Sequence, residues 1–285
     1  MKKLNVAIIG VTGSVGRQTV DVIKRNADRF DIQLITAHSN AVSLEQIGKE
    51  LGAKRTILTK NGMGELLRAV DETELDVALV AAAGTDIIAV AYKLAQKGIK
   101  LALANKECIV SAGKFVMAAI KESGGMIIPV DSEHSALFQC MCGHRKEDIA
   151  GLVLTASGGA FRDLPKEALE TVSIKDALTN PNWSMGQKIT VDSATMMNKG
   201  LELIEARYLF DIEPNKLSVV IHPQSIVHSM VSYKDGAVLA QLGLPDMRVP
   251  IAYALGCGEE RIDSGVKQLD FTQNMALTFS PPDID

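Results

Sequence analysis

Asp131-Ser132-Glu133-His134 follows an apolar run, Met126 to Val130, which places its carboxylates at the carboxyl end of a strand, where open α/β sheets hold their ligands. If the strand conformation persists, Asp131 and Glu133 point to the same side. Two carboxylates together suit a hard divalent cation such as Mg2+ or Mn2+. A structural reading competes: Asp131 or Ser132 would cap a helix running through Ala136 to Met141. In the stretch Asp192 to Ala206, Asn198, Lys199, Glu202 and Glu205 recur at helical spacing and would line one helix face. Glu202 would then add a third carboxylate, although a solvated surface carries the same charges.

Gly10-Val11-Thr12-Gly13-Ser14-Val15-Gly16 stands between an apolar strand and an amphipathic helix, as a phosphate-binding turn must. Glycines allow close backbone approach, and the helix N-terminus offers N–H groups and a positive dipole end to a pyrophosphate. At the end of the second strand, an NAD site would place an acid for the ribose hydroxyls. Here the chain has Ala37-His38-Ser39-Asn40, with no carboxylate to repel a 2′-phosphate, which favours NADP(H) unless these residues merely begin a loop. Thr155 to Arg162, with Ser157-Gly158-Gly159, offers hydroxyls and backbone donors for a phosphate, or an ordinary strand-end turn. His222 and His228 lie six apart, which is no zinc signature; His222 at a strand end is the better site candidate, and His228 reads as a satisfied, half-buried residue.

The elements that position these groups are legible in outline. Val6 to Ile9, Ile32 to Ala37, Thr56 to Thr59, Val77 to Ala82, Lys100 to Ala104 and Met126 to Val130 read as strands. They alternate with amphipathic stretches at Gly16–Asn26, Ser43–Leu51, Gly62–Ala69, Asp86–Lys97 and Ser111–Ser123. Nearly continuous apolar strands between helices define a doubly wound parallel sheet. After about residue 130 the pattern changes to buried strands at Gly151–Ala156 and Leu217–Ile221, with a hairpin of Ser229–Tyr233 and Val238–Leu242 turning at Lys234-Asp235-Gly236. Ala177 to Gln187 shows neither period and reads as a long functional loop.

At 285 residues the chain is about twice a typical domain. With 30 basic and 34 acidic residues, no excess of positive charge is present to hold a nucleic acid backbone. Four cysteines without CxxC pairing read as reduced, mostly buried thiols. The N-terminus lacks a signal-peptide pattern and no apolar segment is long enough to span a bilayer, so no membrane partner and a cytoplasmic location are expected.

Taken together, the motifs resemble the 1-deoxy-D-xylulose 5-phosphate reductoisomerase family. The resemblance rests on Gly10 to Gly16, Ala104-Asn105-Lys106-Glu107, Asp131 to Ala136, Ser157-Gly158-Gly159, Pro181-Asn182-Trp183-Ser184-Met185-Gly186, Asp192 to Glu202, His222-Pro223-Gln224-Ser225 and Leu244-Pro245-Asp246-Met247-Arg248. It implies an N-terminal Rossmann-like domain over 1–130, an α+β catalytic domain over 131–268 with a lid at 177–187, and a linker at 269–285 towards a C-terminal helical domain that this chain does not contain. It implies NADPH and Mg2+ or Mn2+ as cofactors, a sugar phosphate as substrate and a homodimer. Asp131, Glu133 and Glu202 would hold the metal and, with Lys106, carry catalysis. Lys106, Ser132, Glu133, Ser157, Asn180, Trp183, Ser193, Asn198, Lys199, Glu202 and His222 would contact the substrate. Thr12, Gly13, Ser14, Val15, His38, Ser39, Asn40, Asn105, Glu107, Gly186 and Met247 would contact NADPH. Asn180 stands where the family usually has His. Two other readings compete: an NADPH-binding, dimerising fragment without turnover, and a semialdehyde-type dehydrogenase, which would need a nucleophilic Cys paired with a His.

Overall fold

The computed structural model describes residues 2–179 and 186–283, which form two compact units. Unit 1 comprises residues 1–131 and 247–266, unit 2 residues 132–246 and 267–285. The sequence reading assigns 247–266 to the second domain. In the structure the helix Arg248–Leu255 buries Ile251, Ala252, Tyr253, Ala254 and Leu255, and its Arg248 pairs with Asp21 of unit 1 at 2.8 Å. A late segment that returns to an early domain carries no local signal, because its composition only says that it is buried.

Unit 1 holds six parallel strands: β1 (Leu4–Ile9), β2 (Phe30–Ala37), β3 (Arg55–Leu58), β4 (Val77–Val80), β5 (Lys100–Leu103) and β6 (Met126–Pro129). Their spatial order is β3-β2-β1-β4-β5-β6, with the topological switch between β1 and β4. Val6 to Ile9 and Val77 to Val80 are fully buried, as expected of central strands covered on both faces. The connecting helices are α1 (Ser14–Arg25), α2 (Ala41–Leu51), α3 (Gly64–Glu72), α4 (Ile88–Gln96) and α5 (Lys106–Ser123). α5 begins five residues before the expected Ser111, because the Asn105 side chain accepts from Cys108 N and caps it there.

Unit 2 is built on α6 (Ser132–Met141), β7 (Ile149–Ala156), α7 (Ile174–Ala177), α8 (Gln187–Ala194), α9 (Met197–Leu209), β8 (Leu217–Ile221), β9 (Val227–Tyr233) and β10 (Val238–Leu242); the Arg248–Leu255 helix of unit 1 is α10. The sheet order is β10-β9-β7-β8, with β7 and β8 parallel and the other pairs antiparallel. Leu137 of α6 and Ala206 and Phe210 at the end of α9 pack with Leu152, Leu154 and Val231 of the sheet. The expected linker is anchored: Ser280 pairs in antiparallel fashion with Ile221, so 267–283 completes unit 2.

Candidate active site

In unit 1 the chemistry-bearing turns lie at the carboxyl ends of the strands. Gly10 has φ +93°, and a Cβ there would lie 2.6 Å from Ala82 N; a Cβ on Gly16 would lie 2.3 Å from the Gly10 carbonyl. Only glycine lets the turn lie this close to the end of β4 and lets α1 start this close to the turn. Gly13 precedes α1 and no side chain caps the helix, so its first-turn N–H groups form a cradle suited to a pyrophosphate. Thr12 and Gly13 lie in the turn, and Ser14 and Val15 open α1. At the end of β2, His38, Ser39 and Asn40 are exposed, and Asn40 Oδ1 caps α2 by accepting from Ser43 N at 3.0 Å.

Asn105 is buried and does more than its motif suggests. Its Nδ2 donates to Ala82 O at 2.7 Å and Gly84 O at 3.0 Å while its Oδ1 caps α5. One side chain thus ties together the loops after β4 and β5, the first of which borders the switch point. Next to it, Lys106 Nζ lies 2.9 Å from Asp131 Oδ2, both side chains nearly buried. Glu107, in the first turn of α5, and Met247, just before α10, are partly exposed.

In unit 2, α6 starts at Ser132, so the strand does not continue past Asp131. The same-side alternation expected of Asp131 and Glu133 therefore fails, and Glu133 instead occupies the first turn of a helix. Ser132 Oγ donates to Glu133 Oε2 at 2.6 Å. Met196, at φ +59°, lies between the end of α8 and the start of α9, dividing the run that sequence spacing joins into one helix. Asp192 and Ser193 belong to α8, and Asn198, Lys199, Glu202 and Glu205 to α9.

The solvated-surface reading of α9 is excluded: Lys199, Glu202 and Glu205 are 5%, 1% and 2% exposed. Lys199 Nζ donates to Glu133 Oε1 at 2.8 Å, to Thr155 O at 2.6 Å and to Glu202 Oε2, while Asn198 Nδ2 donates to Glu202 Oε1. Burial works against the ammonium, yet Glu133 and Glu202 hold the Lys199 pKa above the usual lysine value. Ligand oxygens of Glu133 and Glu202 lie within 4.8 Å of each other. Paired carboxylate oxygens at that separation fit a hard divalent cation in the chemistry of the donors. A layer behind them escapes sequence reasoning: His134 Nε2 lies 3.0 Å from the Glu202 carbonyl and its Nδ1 3.5 Å from Glu205 Oε2. The helical spacing of Glu202 and Glu205 hinted at it, but nothing in the sequence marks Thr155 O, a backbone acceptor.

Ser157 lies in a turn where Gly158 and Gly159 both have positive φ, and a Cβ on Gly159 would lie 2.4 Å from the Ser193 carbonyl. This close approach brings Ser157 and Ser193 to neighbouring segments. His222 departs from the expected contact role. It is fully buried, Nε2 accepts from Ile226 N and Val227 N at 3.1 Å each, and Nδ1 donates to Thr278 O at 2.9 Å. With both nitrogens committed, the ring shapes the turn after β8 from behind. Of the expected lid, Asn180 and Trp183 lie outside the described residues; Gly186 is exposed and precedes α8. Cys142 is exposed, and Cys108, Cys140 and Cys257 are buried. No helix among the described residues is long and apolar enough to cross a membrane.

The Rossmann-like sheet order and turn, with the lysine-bridged carboxylates of the second unit, define an α/β enzyme of the dinucleotide-dependent class. The 1-deoxy-D-xylulose 5-phosphate reductoisomerase family model matches residues 6–61 and 46–113, and the models of its C-terminal domains match 127–210 and 242–285. The reductoisomerase of Geotalea uraniireducens is 48% identical, covering 99% of this chain and 78% of the relative; that of Thermoanaerobacter pseudethanolicus is 44% identical, covering 100% and 78%. Among solved structures, the Zymomonas mobilis enzyme in complex with NADPH superposes with TM-score 0.91 at 38% identity, covering 99% of this chain and 78% of that one. A reductoisomerase in complex with NADPH, fosmidomycin and magnesium gives 0.87 at 40% identity, covering 99% and 76%. The chain belongs to the 1-deoxy-D-xylulose 5-phosphate reductoisomerase family, whose members are NADPH-dependent enzymes.

Proposed function

We propose that this chain converts 1-deoxy-D-xylulose 5-phosphate to 2-C-methyl-D-erythritol 4-phosphate with NADPH and Mg2+ or Mn2+. The observation that carries the reading is the cluster of half-buried Glu133 with buried Glu202 and Lys199 in a chain 48% identical to a named reductoisomerase. The reaction breaks and remakes a carbon–carbon bond and then reduces the resulting aldehyde. When bound, the metal supplies Lewis-acid polarisation of adjacent substrate oxygens and the nicotinamide supplies the hydride.

Asp131, Glu133 and Glu202 are assigned to the metal, and Lys106, paired with Asp131, to the substrate oxygens. Ser132, whose hydroxyl proton is already given to Glu133, would accept from a substrate hydroxyl. Ser157, Ser193, Asn198 and Lys199 are assigned to the phosphate side, with Ser157 and Ser193 on segments held together at Gly159. Asn180 and Trp183 are assigned to a closing lid that excludes water from the reactive aldehyde. The amides of Thr12 to Val15 would take the NADPH pyrophosphate, His38, Ser39 and Asn40 its adenosine end, and Asn105, Glu107, Gly186 and Met247 its nicotinamide end. A cytoplasmic homodimer completes the reading; Val238 and Leu239, exposed on the edge strand β10, are consistent with a covered edge. The test is NADPH oxidation, followed by its near-ultraviolet absorbance, with the substrate and either metal. Turnover that stops with chelator is expected; no turnover with NADPH binding intact would leave an NADPH-binding fragment instead.

A further inference from the structure

The ends of β2 and β3 lie side by side in unit 1, where Ala37 registers with Leu58. The turn after β3 is tied back onto the turn after β2: Lys60 N donates to His38 O at 2.9 Å, and Thr59 Oγ1 lies 3.4 Å from His38 Nδ1. From the other side, α1 presents Arg17. Its Nε donates to Thr12 O at 3.1 Å and its Nη2 to Ser43 Oγ at 3.3 Å, while Ser43 N is held by Asn40 Oδ1. Arg17, exposed on α1, thus reaches the start of α2 that Asn40 caps, and Lys60, also exposed, belongs to the turn whose backbone is tied to His38. Segments 38–43 and 59–64 contain no carboxylate. Of the acids on the adjoining helices, Asp21 is paired with Arg25 and Arg248, Glu45 with Lys49 at 2.6 Å and Glu50 with Lys24 at 3.3 Å, while Glu65 lies in the first turn of α3.

In a sheet of this order a dinucleotide crosses the switch point with its adenosine ribose towards the end of β2, where an NAD site needs an acid. A phosphate monoester on that ribose needs the opposite: cations and N–H donors without a carboxylate. We infer that Arg17 and Lys60 clamp the 2′-phosphate of NADPH and set the preference for NADPH over NADH. His38, Ser39 and Asn40 supply the polar floor between them. The inference rests on the proposed use of NADPH and adds to it the two charges that would select that cofactor. Arg17 brings a planar fork with donors beyond the two already engaged, and Lys60 brings a mobile point charge.

The test is direct titration of the full chain with NADPH and with NADH, followed by nicotinamide fluorescence, for the wild type, Arg17→Ala, Lys60→Gln and the double variant. The two cofactors differ only in the 2′-phosphate, so NADH reports any general damage to the pyrophosphate turn. Each single variant is expected to weaken NADPH by about tenfold while NADH changes by less than about threefold, and added salt narrows the wild-type preference. An unchanged NADPH-to-NADH ratio in the double variant overturns the clamp. Equal weakening of both cofactors by Arg17→Ala also overturns its part, because Arg17 would then serve only the turn through Thr12 O. A wild type that does not prefer NADPH overturns the NADPH reading itself, and the clamp with it.

Discussion

Lys199 donates from Nζ to Glu133 Oε1 at 2.8 Å, joining the first turn of α6 to the buried face of α9. The same ammonium contacts Glu202, so one buried cation is shared by two carboxylates that otherwise repel each other. Replacing it with an apolar side chain leaves buried Glu202 and half-buried Glu133 without their counter-charge. Lys199→Met is expected to cost roughly 3–5 kcal/mol of stability in chelator. Added Mg2+ should raise its unfolding midpoint more than it raises that of the wild type, because a bound cation would restore the missing charge. Calorimetry with and without metal checks both.

Glu202 is the pivot of the same cluster, accepting from Asn198 and Lys199. Glu202→Gln keeps the shape and removes the charge. Metal-dependent turnover is expected to fall by at least about a hundredfold with NADPH affinity unchanged, since a neutral amide is a poor ligand for a hard dication. Retained turnover at saturating Mn2+ would remove Glu202 from the metal site.

The fold was legible because each strand of unit 1 is a short apolar run between amphipathic helices, and all six appear within two residues of the expected bounds. The candidate residues were legible as types; their arrangement was not. Asp131 and Glu133 suggest a strand face, yet Ser132 opens a helix. Asp192 to Ala206 suggests one helix, yet Met196 at positive φ makes two. His222 stands at a strand end like a ligand, yet both of its nitrogens serve the backbone. At Ser132 and Met196 the residue types keep their spacing and a single junction between elements decides where the side chains go; at His222 the backbone groups of Ile226, Val227 and Thr278 decide it.

Ser14 separates cofactor binding from folding. It is the first residue of α1, exposed, with no acid in that turn. A carboxylate there favours the helix dipole but opposes an incoming pyrophosphate. Ser14→Asp is therefore expected to leave the unfolding midpoint unchanged or slightly raised while weakening NADPH by at least about tenfold. Unchanged affinity in a direct titration would place the cofactor elsewhere.

His228 links the fold to pH. It is buried on β9, and burial, opposed by backbone contacts at Leu244 and Gly243, pushes its pKa from 6.5 down to about 4. In the unfolded chain the imidazole takes up a proton near its ordinary value, while in the folded chain it stays neutral until about pH 4. Its stabilising effect is thus complete above pH 6.5 and is lost progressively as pH falls to about 4. The depressed pKa corresponds to roughly 3 kcal/mol over that window. His228→Gln, which cannot titrate, is expected to be less stable at neutral pH but to show a flatter decline between pH 6.5 and 4. Urea unfolding of both proteins across this range checks it; parallel declines would show that His228 takes up its proton in the folded state as readily as in the unfolded one.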